Sequence, residues 1–232
     1  MSRDIYTSLS GATATLRQLE VAAHNVANVN TTGFKEQRVA FEIADRTEAP
    51  LSATHVRLSA DGADMSDGSL VQDGVDTHFA LRGRGFFQVE GADGTVLVRS
   101  GRFQMDSERR LVTERGEAVM GRSGPIEIPE DALIVVAEDG TILTNEGDEI
   151  DTLLIMDADD LVPLGSGRWM AQGATNEAEG TRVVQGALEG SNVDPMKSMV
   201  TLMEAARSFE MFQKAMQTSD RMDEQLNQMT RA

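Results

Sequence analysis

Cysteine is absent from the 232 residues, which rules out a disulfide framework, a thiolate metal site and a cysteine nucleophile. Aromatic residues make up only 4% of the chain, with one Trp and one Tyr, so few flat surfaces are available to grip a sugar. Positive charge is in deficit. The 21 basic residues against 38 acidic ones leave a formal charge of -17, which argues against a nucleic-acid backbone or an anionic membrane as partner and points to protein. No run of 18 apolar residues occurs, so no membrane-spanning helix and no direct membrane insertion is expected. Met1-Ser2-Arg3-Asp4-Ile5 leads into a pattern broken by polar residues, without the apolar stretch of a cleavable signal peptide, and Sec-type export is not expected. What the chain does have is 40% apolar residues, enough to fill one large core or two small ones.

The first segment sets Ile5, Leu9, Ala12, Leu16, Leu19, Ala23 and Val26 at alternating steps of four and three, a heptad seam on one helix about 36 Å long. Ser2 is its candidate N-cap, and Asn28, Asn30 and Gly33 tolerate the left-handed backbone that ends a helix. The last segment repeats the device. Asp194-Pro195 predicts a capped start with proline at the first helical position, and apolar residues from Met199 to Met229 cover more than one narrow stripe. Its many methionines suit contacts with imperfectly matched neighbours.

Between these ends the texture is short β-like runs punctuated by glycine: Phe86–Val89, Thr95–Arg99, Arg102–Met105, Ile126–Ile128, Leu133–Ala137, Thr141–Leu143 and Leu153–Met156. Asp93-Gly94 and Asp139-Gly140 each read as a hairpin turn. The expected class is therefore α+β, with paired, coiled-coil-like N- and C-terminal helices and an inserted, mostly antiparallel all-β domain. The expected division is a helical assembly domain from residues 1–30 and 191–232, an extended connector over 31–75, and a β-rich domain over 76–190. Gly165–Gly180 reads as a loose stretch. Two thin helices bury only their facing stripes, so their outer faces call for other copies to pack against.

The run Ala23-His24-Asn25-Val26-Ala27-Asn28-Val29-Asn30-Thr31-Thr32-Gly33-Phe34-Lys35 resembles the signature that closes the N-terminal helix of flagellar rod and hook proteins, departing from it at His24. Gly85-Phe86-Phe87-Gln88-Val89, Arg99-Ser100-Gly101-Arg102-Phe103 and Leu111-Val112-Thr113 follow in that family's order, with Leu97 and Val98 where tyrosine and threonine are usual. Gly186-Ala187-Leu188-Glu189-Gly190-Ser191-Asn192-Val193-Asp194-Pro195 and Arg207-Ser208-Phe209-Glu210-Met211 are similar to the proximal-rod branch. Ala63-Asp64-Met65 and the run from Gly124 to Pro129 point to the same branch. The resemblance implies export through the flagellum's own type III apparatus without a cleaved leader. It also implies assembly across the periplasm with copies of itself and other rod proteins, into a shaft that carries torque, and an outward-facing β domain. Ile5, Leu9, Leu16, Leu19 and Val26 are then the expected partners of Val200, Met203, Phe209 and Met216, within and between copies, while Asn25, Asn28, Asn30, Gly33 and Phe34 form the turn that closes the first helix.

Sequence signals for other chemistry are weaker. His24, His55 and His78 are scattered, and no metal or cofactor is expected. Arg82-Gly83-Arg84-Gly85 lacks the third glycine and the lysine of a phosphate loop and reads as a tight turn into a strand. Asp61-Gly62-Ala63-Asp64-Met65-Ser66-Asp67-Gly68 spaces its acids wrongly for calcium and reads as a solvated turn. The acids from Glu138 to Asp160 offer no defined carboxylate pair, so an export-linked cell-wall hydrolase is the distant alternative, and a distal-rod or hook-type subunit the near one.

Overall fold

Apolar residues recurring at steps of three and four make the two ends helical: α1 spans Ser2–Ala27 and α2 spans Pro195–Met229. The computed structural model describes residues 2–45, 54–91, 94–130, 132–158 and 160–229, with side chains described for 10–41, 62–91, 94–130, 132–158, 160–218 and 221–222. The start of α2 is the one its dipeptide announces. Asp194 Oδ1 accepts the N–H groups of Met196 at 2.9 Å and Lys197 at 3.1 Å, and Pro195, which has no N–H to satisfy, takes the first helical position. The side chain of Ser2 lies outside the described residues, as does Asp93 of the first predicted hairpin turn.

The chain divides into two units. One combines the stretch up to Ala27 with Gln37–Asp64 and the stretch from Asp194; the other comprises Asn28–Glu36 and Met65–Val193. In the first unit α1 packs on α2 and on a long antiparallel hairpin, Gln37–Asp45 with Thr54–Ala63, whose register shifts at Ala40/Phe41. Within the expected connector over 31–75, strand is found at Gln37–Asp45, Thr54–Ala63 and Leu70–Gln72. Its alternation in Arg38-Val39-Ala40-Phe41 is diluted by alanine and charge, and it is long-range pairing that makes it a ladder.

The second unit is a set of antiparallel sheets around one core. Its largest sheet runs in the order Leu161–Gly165, Arg168–Ala171, Gly94–Val98, Phe86–Gly91, Ala118–Val119, Leu111–Thr113 and Phe103–Met105, with Ile155–Asp157 pairing Phe86–Gly91 and Asn176–Glu177 off that path. Phe87 opposite Val98 and Val89 opposite Val96 place four apolar side chains on one face, and all four lie in the core. Phe103 sits edge-on to Phe87, ring centroids 5.1 Å apart. Ile134–Val136, Thr141–Thr144 and Glu149–Thr152 form a three-stranded sheet, with the Asp139-Gly140 turn closed by Asp139 Oδ1 accepting from Thr141 N–H at 3.0 Å.

Three local expectations change. Ile126–Ile128 belongs to no strand ladder: Ile126 N–H donates to Val119 while its carbonyl accepts from Leu111, and prolines at 125 and 129 remove the flanking donors a ladder needs. The supposedly loose Gly165–Gly180 stretch carries the strands Arg168–Ala171 and Asn176–Glu177, because Trp169 buries against Phe86. The acidic stretch 61–68 is not a solvated turn. It begins in a strand, Asp64 pairs Arg38 at 2.5 Å, and Asp67 faces Arg99 at 3.3 Å.

Candidate functional site

In the helical unit the closest packing is made by the smallest side chains. α1 buries Gly11, Ala12, Thr15, Val21, Ala22 and Asn25, whereas Leu16 is 40% exposed, Leu19 and Val26 are half-buried and Ala23 is exposed. The Phe212 ring of α2 lies so near Gly11 that a Cβ there would stand 2.8 Å from its edge atoms. Residues of larger volume therefore rotate away from this contact. On α2, Ser198 and Ala205 are buried and Leu202, Phe209, Phe212 and Met216 half-buried, a row at steps of three and four. Its other side presents Met196, Met199, Val200, Met203 and Met211 to solvent, Met203 at 52%. The structure thus puts Phe209 and Met216 on the inner row, with Val200 and Met203 outside. Ile5 and Leu9 lie on α1 with side chains outside the described residues. Grouped apolar side chains exposed in this way are the kind of surface that marks an interaction site.

The residues of the expected turn serve two tasks. Asn25 reaches from the last turn of α1 to the hairpin, where its Nδ2 donates to the Gln37 carbonyl at 2.8 Å and its Oδ1 accepts the Gln37 N–H at 2.9 Å, completing a strand-like pair with a side chain. His24 Nδ1 lies 3.1 Å from Gln37 Oε1 beside it, an ordinary polar contact. Past the helix, the Asn28 carbonyl accepts Thr31 N–H at 3.1 Å and the Thr31 hydroxyl donates to Asn28 Oδ1 at 3.1 Å, while Asn30 is exposed. Gly33 takes φ +67°, and a side chain there would run into the Ser100 backbone; its N–H donates to the Glu189 carbonyl at 2.7 Å. Phe34 is buried next to it.

A buried charge cluster in the second unit was not legible as such. Lys35, Arg99 and Glu189 are each about 1–2% exposed. Glu189 Oε1 accepts from Lys35 Nζ at 2.8 Å and from Gly68 N–H at 2.8 Å; its Oε2 accepts from Arg99 Nε at 2.5 Å. Arg99 spends its remaining donors on the Gly85 and Leu81 carbonyls and on Asp67, and Lys35 also donates to the Ser66 carbonyl at 2.7 Å. Burial lowers the Lys35 pKa, helped by the Arg99 charge and opposed by Glu189. Burial alone pushes the Glu189 carboxyl up, but the Arg99 charge, the Gly68 amide and the Lys35 and Arg99 hydrogen bonds outweigh it and hold it below its ordinary value. Each of the three charged groups is engaged by at least two partners inside the cluster, so it reads as a structural pin. One charged residue comes from each of three recognised runs, ending at Lys35, opening at Arg99 and containing Glu189; that shared charge was the available signal.

Among the described residues no group of three or more His, Asp or Glu converges as metal ligands. His78 Nδ1 is 2.6 Å from Asp73 Oδ2, and this hydrogen bond holds the Asp73 carboxyl below its ordinary value. His55 lies in a strand with its side chain outside the described residues.

Three family models match in succession: the flagella basal body rod protein over residues 5–35, the flagellar hook protein FlgE/F/G D1 domain over 80–151, and the flagellar basal body rod FlgEFG protein C-terminal over 184–229. The chain is 34% identical to the flagellar basal-body rod protein FlgF of Salmonella typhimurium, covering 99% of this chain and 98% of that one. It is 34% identical to FlgF of Escherichia coli over 95% of each chain, and 32% identical to FlgG of Borreliella burgdorferi over 96% of each.

Proposed function

The chain belongs to the flagellar basal-body rod protein family and is a structural subunit of the rod, and from that premise we propose that it is of the proximal-rod type and polymerises through its terminal helices. Copies of itself and other rod proteins cover the side of α2 that carries Met199, Val200 and Met203, and the side of α1 that carries Leu16. Burying such side chains contributes roughly 1.5 to 3 kcal/mol each, so a few seams repeated around a tube hold it together. The observation that carries this reading is the exposed methionine-rich side of α2, continuous with an inner row that already packs on α1.

Within each copy the helices pair in a coiled-coil-like manner, with Gly11 and Phe212 at the seam. The subunit is passed outward by the flagellar export apparatus and lies in the shaft across the periplasm. It performs no catalysis and needs no cofactor. Torque passes through packed side chains that compress little. The test is incorporation: Leu16→Asp and Phe209→Asp chains are expected to be absent from purified basal bodies, and swimming at the unsubstituted level with either would overturn the seam. Relatives named FlgG match nearly as well as those named FlgF, so copy number decides the branch. A handful per basal body fits the proximal type and many copies a distal-rod or hook type.

A further inference from the structure

Four segments of the second unit line a half-open pocket of about 120 Å³: the Thr31-Thr32 turn, the Ser100–Arg102 segment, the Thr113–Glu117 turn and the Ser166–Arg168 hairpin tip. About 10–15 Å³ of such space holds one water, so the pocket has room for the end of one acidic side chain. Its walls carry three arginines and two glutamates, a local excess of positive charge on a chain whose formal charge is -17.

Both glutamates are spoken for. Glu117, buried, accepts from Arg168 Nη2 at 2.8 Å and from the Thr113 hydroxyl at 3.2 Å; Glu114 faces Arg102 at 3.6 Å. Among the described residues the Arg115 guanidinium pairs with no carboxylate and donates to the Ser166 hydroxyl at 2.8 Å, while its backbone N–H goes to the Thr113 hydroxyl at 3.3 Å. The Nε–H of Arg168 is buried and has no hydrogen-bond partner among the described residues. Guanidinium donors with unspent capacity beside hydroxyls make a receptor for a carboxylate, since the planar fork matches its two oxygens.

We propose that this cavity, resting on the rod reading above, receives an Asp or Glu side chain from a second copy of the chain in the assembled shaft. Charge complementarity selects the occupant. The chain carries 38 acidic residues against 21 basic ones, and a shaft holds neighbouring copies at high effective concentration, so a contact too weak to form in dilute solution closes on assembly.

The experiment uses Arg115→Lys in the full chain, which keeps the charge and introduces an amine. Purified rods and the isolated protein are each treated with a zero-length carbodiimide, and cross-linked peptides are read by mass spectrometry. An amide joining residue 115 to an Asp or Glu of a neighbouring copy, present in rods and absent from the isolated chain, supports the proposal. The same intrachain links in both samples, or a link only to a different protein, overturns it. In parallel, Arg115→Glu is expected to melt like the unsubstituted chain and to enter rods about tenfold less, the loss of one hydrogen bond to a charged group; undiminished incorporation overturns the site. Absence of the unsubstituted chain from rods overturns the rod assignment itself, and this site with it.

Discussion

The Arg99 guanidinium and the Glu189 carboxylate, 90 residues apart in sequence, lie Nε to Oε2 at 2.5 Å in the interior of the β unit, both almost wholly out of water. The pair ends the strand Gly94–Val98 on one side and the strand Ala187–Glu189 on the other, and Lys35 joins it from the segment that follows α1. Such a cluster is costly to desolvate and more costly to break.

Glu189→Gln is accordingly expected to destabilise the protein by about 3–5 kcal/mol, because Arg99 and Lys35 stay buried without a counter-charge. Equilibrium urea unfolding measures this. A loss under 1 kcal/mol, on the order of a surface change, would mean that the pin is dispensable.

The same cluster sets a pH dependence. The folded-state pKa of Glu189 lies below its ordinary 4.5, so its contribution is complete above 4.5 and is lost as pH falls through the folded value. The stability gap between the unsubstituted chain and Glu189→Gln is expected to narrow across that acid window. Lys35 acts in the other direction of pH: its folded value lies below 10.5, the unfolded chain binds more protons between the two, and stability from this group rises with pH there. Lys35→Met is expected to flatten that alkaline rise, read from urea midpoints over the window.

At the helical seam, Gly11→Leu is expected to cost about 1–3 kcal/mol through overpacking against the Phe212 ring. Phe212→Ala in the same chain should recover part of that loss, since it opens the space. Thermal unfolding of the two single variants and the double variant gives the coupling, and strict additivity would place the ring elsewhere.

Exposure separates folding from assembly. Met203, at 52% exposure, should accept Asp with a stability change within about 0.5 kcal/mol, yet the variant is expected to be missing from basal bodies. Phe209→Asp strikes the inner row and should lower stability as well as incorporation. Equal incorporation of Met203→Asp would remove that side of α2 from the interface.

Asp194→Ala deletes the acceptor of two N–H groups at the start of α2 and is expected to cost about 1 kcal/mol, with hydrogen exchange rising first at Met196 and Lys197. Asp194→Asn should retain most of that protection.

Much of this was legible in the residues themselves. Helical periodicity with Asp194-Pro195 announced α2, Asp139-Gly140 announced its hairpin, and the scarcity of aromatics and cysteine narrowed the chemistry, because each of these rests on interactions within a few residues. The side of α1 that packs within the chain was legible only in part: of the heptad row Ala12 is buried and Leu19 and Val26 half-buried, while Leu16 and Ala23 are exposed. A heptad count ranks residues by hydrophobicity, whereas the contact with Phe212 selects for absence of volume, so Gly11, Thr15 and Ala22 went inside and Leu16 stayed out. Only the tertiary structure decided that Lys35, Arg99 and Glu189 meet, and that the segment after Glu36 becomes a long hairpin. The hairpin pairs Gln37 with Ala63 and the cluster joins Lys35 to Glu189, contacts beyond the reach of local periodicity, and a charge or a dilute alternation takes its meaning from what the fold brings against it.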